Sequence, residues 1–186
     1  MATVSILNDV MGPVMRGPSS SHTAGAYRIG RIASLLAGGP LARVRISFDP
    51  HGSYAPTYHA MGVDAAFAAA FLGWDMEDER YPQAPAALAA AQGIALAICV
   101  EALEHTDHPN TIRLELVTHD GATHVVWARS IGGGMVDVYR FDDWPCRIDG
   151  KSWVLLTALS SPGAAQVHRA IAAKLQVHSP AQQHEQ

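Results

Sequence analysis

Cysteine is nearly absent from this 186-residue chain, which has only Cys99 and Cys146. Two thiols so far apart make neither a disulfide framework nor the close-spaced set that a zinc or iron–sulfur site takes. Cys99, in an alanine-rich stretch read as helix, is expected to be a small buried hydrophobe. Cys146 follows Trp144-Pro145 and is expected in a turn. No metal cluster is expected on this chain alone. Excess charge is missing too: 13 Lys and Arg face 17 Asp and Glu, a formal net charge of −4. There is no basic run and no interleaving of cations with aromatics, so nucleic acid is not an expected partner. Long apolar runs are also lacking. The most apolar stretch, Ala86 to Val100, contains Gln92 and Gly93 and falls short of the roughly 18 uncharged residues of a membrane helix. A membrane partner is therefore not expected either. Met1 to Asp9 lacks the cationic-then-apolar order of a signal peptide, and the expected location is the cytoplasm.

What is there resembles an ordinary globular protein, 48% hydrophobic and 16% charged. The length allows one good-sized domain with a proper core. Ala24 to Leu36 carries apolar residues at helical spacing, with Ser21 and Thr23 as N-cap candidates and Gly38-Gly39-Pro40 as its stop. Ala42 to Phe48 alternates Val44, Ile46 and Phe48 with polar residues, the pattern of a half-buried strand. A polar loop to Asp64, a short helix from Ala65 to Leu72 and an acidic loop from Asp75 to Pro85 follow. Ala86 to Leu103 reads as a second long helix. Thr111 to Val117 and Thr123 to Arg129 form a hairpin about Asp120-Gly121, and Met135 to Phe141 continues the sheet. The expected class is α+β, a mainly antiparallel sheet with helices packed to one side. Gly150 marks a boundary. Beyond it a strand (Trp153 to Leu159), a turn and a helix (Ala164 to Leu175) are expected, then a disordered tail from His178 to Gln186.

Three constellations can carry chemistry. The first is Gly17-Pro18-Ser19-Ser20-Ser21-His22-Thr23 at a helix N-terminus. Hydroxyls, unpaired backbone N–H groups and the positive end of the helix dipole suit a carboxylate or phosphate. His22 adds a group that exchanges protons near neutral pH. A helix cap with a surface histidine is the plainer reading of the same residues. The second is the loop His51 to Asp64, which gathers Ser53, Tyr54, Thr57, Tyr58, His59 and Asp64 after a strand, where loops often hold sites. It reads equally as a polar crossover. The third, Ser130-Ile131-Gly132-Gly133-Gly134, puts three glycines in a strand pattern. That signals a bulge, or a close approach of backbone to a ligand or another chain.

Along nearly its whole length the chain resembles the beta subunit of bacterial iron–sulfur-dependent L-serine dehydratases. The likeness is carried by Gly12 to Ala33 (GPVMRGPSSSHTAGAYRIGRIA), Gly52 to Tyr58 (GSYAPTY), Asp78 to Ala84 (DERYPQA), His108 to Leu116 (HPNTIRLEL) and Ser130 to Val136 (SIGGGMV). The resemblance implies a hetero-oligomer that turns L-serine into pyruvate and ammonia, with a [4Fe–4S] cluster held by the partner alpha chain. It implies that Ser20, Ser21, His22 and Thr23 reach toward the cluster and substrate, with His22 as acid/base. Substrate binding falls to Ser19, Ser53, Thr57, Tyr58, His59, Asp64, Gly132, Gly133 and Gly134.

Two departures stand out. Where the family shows Lys-Gly-His-Gly-Thr-Asp after the tyrosine, this chain has His59-Ala60-Met61-Gly62-Val63-Asp64. Met61 cannot move a proton or donate a strong hydrogen bond. Either His59 takes over the role, or the substrate is another β-hydroxy amino acid, or activity is weak. The segment 150–177 resembles only the first strand and helix of a regulatory ACT domain, after a beta domain spanning 1–149. A non-catalytic anion-binding module remains an alternative, since the architecture also resembles the allosteric substrate-binding domain of some phosphoglycerate dehydrogenases.

Overall fold

Alternation of apolar and polar residues builds the sheet. In β1 (Leu41–Phe48) the side chains of Val44, Ile46 and Phe48 are fully buried. Antiparallel pairing sets them opposite Leu116, Leu114 and Ile112 of β3 (Thr111–Thr118). The next strand, β4 (Thr123–Gly132), places Val126 and Ala128 on the same face, and β5 (Met135–Phe141) adds Val136 and Val138. Successive residues of a strand point to opposite faces, so one register fixes a continuous apolar layer. The computed structural model describes residues 14–91, 93–104, 106–151, 154, 156 and 164–175.

The six strands lie in the order β2-β1-β3-β4-β5-β6, where β2 is Ala95–Val100 and β6 is Trp144–Ile148. All neighbours are antiparallel except β1 and β2, which run parallel. The apolar face is covered by α1 (Ala26–Leu36), which buries Ile29 and Ala33, and by α2 (Val63–Leu72), which buries Phe67 among alanines. A shorter helix, α3 (Ala84–Ala90), buries Leu88. The opposite face carries ion pairs such as Arg45–Glu101 and Arg129–Asp137. The α+β class with a mainly antiparallel sheet follows from this layout.

Two expectations fail. The long helix over Ala86 to Leu103 is instead α3 followed by strand β2, with Cys99 on that strand. Alanine favours helix, but Ile98, Cys99 and Val100 fit a strand, and pairing with Ile46, Ser47 and Phe48 decides the outcome. Cys146 likewise lies in β6 and not in a turn. Among the described residues β6 is the edge of the sheet, the place in a sheet where proline is tolerated.

Backbone packing divides the chain into units Met1–Ser152 and Trp153–Gln186. In the second, α4 (Ala164–Leu175) matches the expected helix. The strand and turn expected before it lie, but for Val154 and Leu156, outside the described residues, as does the expected tail. No helix among the described residues is long and apolar enough to cross a membrane.

Candidate functional site

The serine–histidine loop does not start an ordinary α-helix. Gly17-Pro18 is a cis peptide, and Ser21–Gly25 forms a single π-turn that runs directly into α1. The Gly25 N–H reaches back five residues to the Ser20 carbonyl at 2.9 Å, while the Thr23 N–H bonds the Ser19 carbonyl at 2.9 Å. Such turns recur at functional sites because they re-aim side chains within a helix. Gly25 makes this one possible, since it sits so close to Ser130 of β4 that a Cβ would fall 2.3 Å from the Ser130 Oγ.

Side-chain capping, expected from Ser21 and Thr23, is not found: neither the π-turn nor α1 has a side-chain N-cap bond. The Thr23 side chain is buried, and its hydroxyl lies 2.5 Å from the Arg16 carbonyl and 2.8 Å from that of Ser19, clasping the loop shut. Ser20 and Ser21 are half-buried, and no side-chain hydrogen bond joins either to another of the described residues.

His22 turns inward. Only 7% of it is exposed, and both ring nitrogens are engaged. Nδ1 lies 3.0 Å from the Ser19 Oγ and Nε2 lies 3.0 Å from the Thr57 Oγ1. Thr57 sits in the loop after β1 and donates its hydroxyl proton to the Ser53 carbonyl at 2.6 Å. Tyr54 packs its ring 4.8 Å from that of His22, stacks on Phe48 and donates its hydroxyl to the Ser21 carbonyl at 2.8 Å. Burial holds His22 below the ordinary imidazole value of 6.5, against the opposing pull of the Ser53 carbonyl. Burial also raises the Tyr54 hydroxyl far above the usual tyrosine range, so it acts as a neutral donor.

Beneath this pair the network continues. The Ser53 hydroxyl donates to the Asn110 side-chain carbonyl, and the Asn110 amide donates to the Ser130 carbonyl at 3.2 Å. Four chain segments are thus pinned together: the π-turn, the loop after β1, the entry to β3 and the end of β4.

Of the expected site residues, Ser19, His22, Ser53 and Thr57 are joined by hydrogen bonds. Tyr58 packs its ring against Phe48. His59, with 86% of its side chain exposed, pairs with Asp64 at 2.6 Å instead of with His22. Gly132, Gly133 and Gly134 turn β4 into β5 with φ of 97°, 61° and 74°. L side chains rarely adopt such angles, so the turn itself explains the three glycines. Arg28 of α1 donates to the Gly134 carbonyl at 2.9 Å. Tyr54 and Ser130, members of the second and third constellations, complete the network together with Asn110, which lies outside all three. Asn110 could have been flagged by the Pro109-Asn110 entry into a strand.

No protein-family model matches the chain. It is 39% identical over 148 residues to the probable L-serine dehydratase beta chain of Bacillus subtilis, covering 80% of this chain and 65% of that protein. It is 35% identical over 148 residues to the L-serine dehydratase beta chain of Peptoniphilus asaccharolyticus, with the same shares of 80% and 65%. Over these 148 residues the chain is similar to L-serine dehydratase beta chains. It spans just under two thirds of the length of these two relatives.

The resemblance in sequence raises the question of a metal cluster. Among the described residues no group of three or more His, Cys, Asp and Glu side chains is arranged to hold a metal ion. Cys99 and Cys146 lie on β2 and β6, the two outermost strands of the six-stranded sheet. They cannot join in one thiolate set. The residues of this chain do not fit a cluster.

Proposed function

We propose that the chain is the beta subunit of a heteromeric L-serine dehydratase, which converts L-serine to pyruvate and ammonia together with an alpha chain. The observation that carries this reading is the buried His22, held by hydroxyls on both ring nitrogens in the loop that carries the family likeness. Such a ring is oriented for proton transfer and shielded from bulk water. The elimination needs a base for the Cα proton, donors for the carboxylate and a Lewis acid for the β-hydroxyl. His22 supplies the first. The half-buried hydroxyls of Ser20 and Ser21 suit the second. The third would belong to the partner, as a [4Fe–4S] cluster on the alpha chain, because this chain's thiols do not fit one.

The test is co-expression with an alpha chain under anaerobic conditions. The complex should be brown, oxygen-sensitive and active on L-serine, while the purified beta chain should be colourless and inactive. In the complex, His22→Ala should cost about a hundredfold to ten-thousandfold in kcat while assembly survives. A colourless complex, or activity in the isolated chain, refutes the subunit reading. Retention of most of the wild-type kcat by His22→Ala refutes the acid/base role.

A further inference from the structure

We propose that Ser19, and not His22, is the group that meets the substrate, with His22 acting as the proton acceptor for the Ser19 hydroxyl and Thr57 as its positioning residue. This rests on the reading of His22 as the acid/base centre and specifies the route the proton takes.

The argument counts protons. The Thr57 hydroxyl has one, and it goes to the Ser53 carbonyl at 2.6 Å. Toward the His22 Nε2, 3.0 Å away, Thr57 can therefore only accept, so Nε2 carries the ring hydrogen. A neutral imidazole then has its one lone pair on Nδ1. The Ser19 Oγ, 3.0 Å from that atom, must donate to it. A hydroxyl donating to an imidazole whose far nitrogen is fixed by a third group is the arrangement that activates serine oxygens.

Exposure points the same way. His22 is only 7% exposed, and neither ring nitrogen is left over for a substrate. Ser19 is half-buried, at the open end of the chain of bonds. The transfer balances. A substrate C–H bond breaks and its electron pair stays on the substrate. A new O–H bond forms at Ser19 as the original Ser19 proton moves to the His22 Nδ1. The resulting imidazolium keeps its Nε2–H bond toward Thr57. Ser19 ends as it began, and the ring has gained one proton.

Two measurements test this. The first is nitrogen-detected NMR of the histidine side chains in the full 186-residue chain, with His22 assigned by loss of its signals in His22→Gln. The expected result is the Nε2–H tautomer in the wild type, with Nδ1–H appearing in Thr57→Val and suppressed again in Thr57→Ser. A dominant Nδ1–H tautomer in the wild type overturns the proposal. The second is kcat in the complex with the alpha chain. Ser19→Ala should fall about as far as His22→Ala, by about a hundredfold to ten-thousandfold. Ser19→Thr should recover most of the rate, and the double variant should be no worse than either single one. If Ser19→Ala keeps its kcat while His22→Ala loses it, His22 acts directly; the proposal fails and the functional reading stands. If both keep their rates, the functional reading fails as well.

Discussion

Replacing Gly25 by alanine tests the packing that shapes the site. Gly25 has φ −62° and ψ −50°, ordinary right-handed helical values. At a compatible backbone position Gly→Ala stabilises by about 0.4–1 kcal/mol, chiefly by restricting the unfolded chain. The surroundings oppose that gain. A Cβ on Gly25 would lie 2.3 Å from the Ser130 Oγ and 2.8 Å from the Ser130 Cβ. Carbon atoms pack best at about 3.5–4.0 Å, so the shortfall to the Ser130 Cβ is about 0.7–1.2 Å. Rotating the hydroxyl relieves the first contact but not the second. Nor does Ser130 have room to retreat, because β4 pairs it with Val136 and its N–H bonds the Asn110 carbonyl at 3.3 Å. Overpacking of this kind costs about 1–3 kcal/mol, and contact with a backbone-fixed atom argues for the upper end. The expected net loss is about 2 kcal/mol, or a fall in Tm of about 4–8 °C for a unit of this size. Urea titration of the wild type, Gly25→Ala, Ser130→Gly and the double variant reads the effect directly. Removing the Ser130 side chain should restore room, with a coupling energy of about 1–3 kcal/mol. A Gly25→Ala variant as stable as the wild type, or strict additivity in the cycle, would refute the reasoning.

Two further outcomes follow from the same network. Burial holds His22 below 6.5, with Tyr54 the titratable group facing it and the Ser53 carbonyl pulling the other way. Between 6.5 and the folded value the unfolded chain binds a proton that the folded chain does not. The contribution of His22 is thus complete above pH 6.5 and shrinks as pH falls through that interval, by at most about 1.4 kcal/mol per unit. Denaturant midpoints at pH 7.5 and 5.5 should therefore differ less for His22→Gln than for the wild type, and equal differences would refute this. Asn110→Ala strands the Ser53 hydroxyl and the Ser130 carbonyl, so it should cost about 1–3 kcal/mol in the same titration. A loss below about 0.5 kcal/mol would mean that other groups replace both bonds.

Much of the sheet is legible because its signal is local. Val44, Ile46 and Phe48 alternate with polar neighbours, as do Ile112, Leu114 and Leu116, and each set is buried as its period requires. The hairpin at Asp120-Gly121 is equally local, with Gly121 at φ 89°. The stretch from Ala84 to Val100 is not legible in this way. Its alanines carry no period, and its last six residues become strand only because β1 offers a parallel partner 52 residues earlier, as in the pairing of Arg43 with Ala95. Gly25 and Gly30 carry a local signal of their own. Glycines inside a helical pattern mark close approach, here to Ser130 and to Ala70.

The site divides along the same line. Residue types in the serine–histidine loop point to proton chemistry, but their partners are set by tertiary structure. Thr57 stands 35 residues from His22, and no spacing rule joins them. The altered segment His59 to Asp64 shows the difference between a changed sequence and a changed site. Val63, at the family's threonine position, is wholly buried in the core, where a hydroxyl would need a partner and a methyl group does not. His59 is held by Asp64 at the surface, which leaves it outside the bonds that join Ser19, His22 and Thr57. Ser19, His22, Ser53 and Thr57 all lie in stretches where the family likeness is intact. Packing accounts for Val63, and the hydrogen bond with Asp64 accounts for His59. Of the four changed side chains in this segment, Ala60 is exposed, and the half-buried Met61 alone is left without such an account.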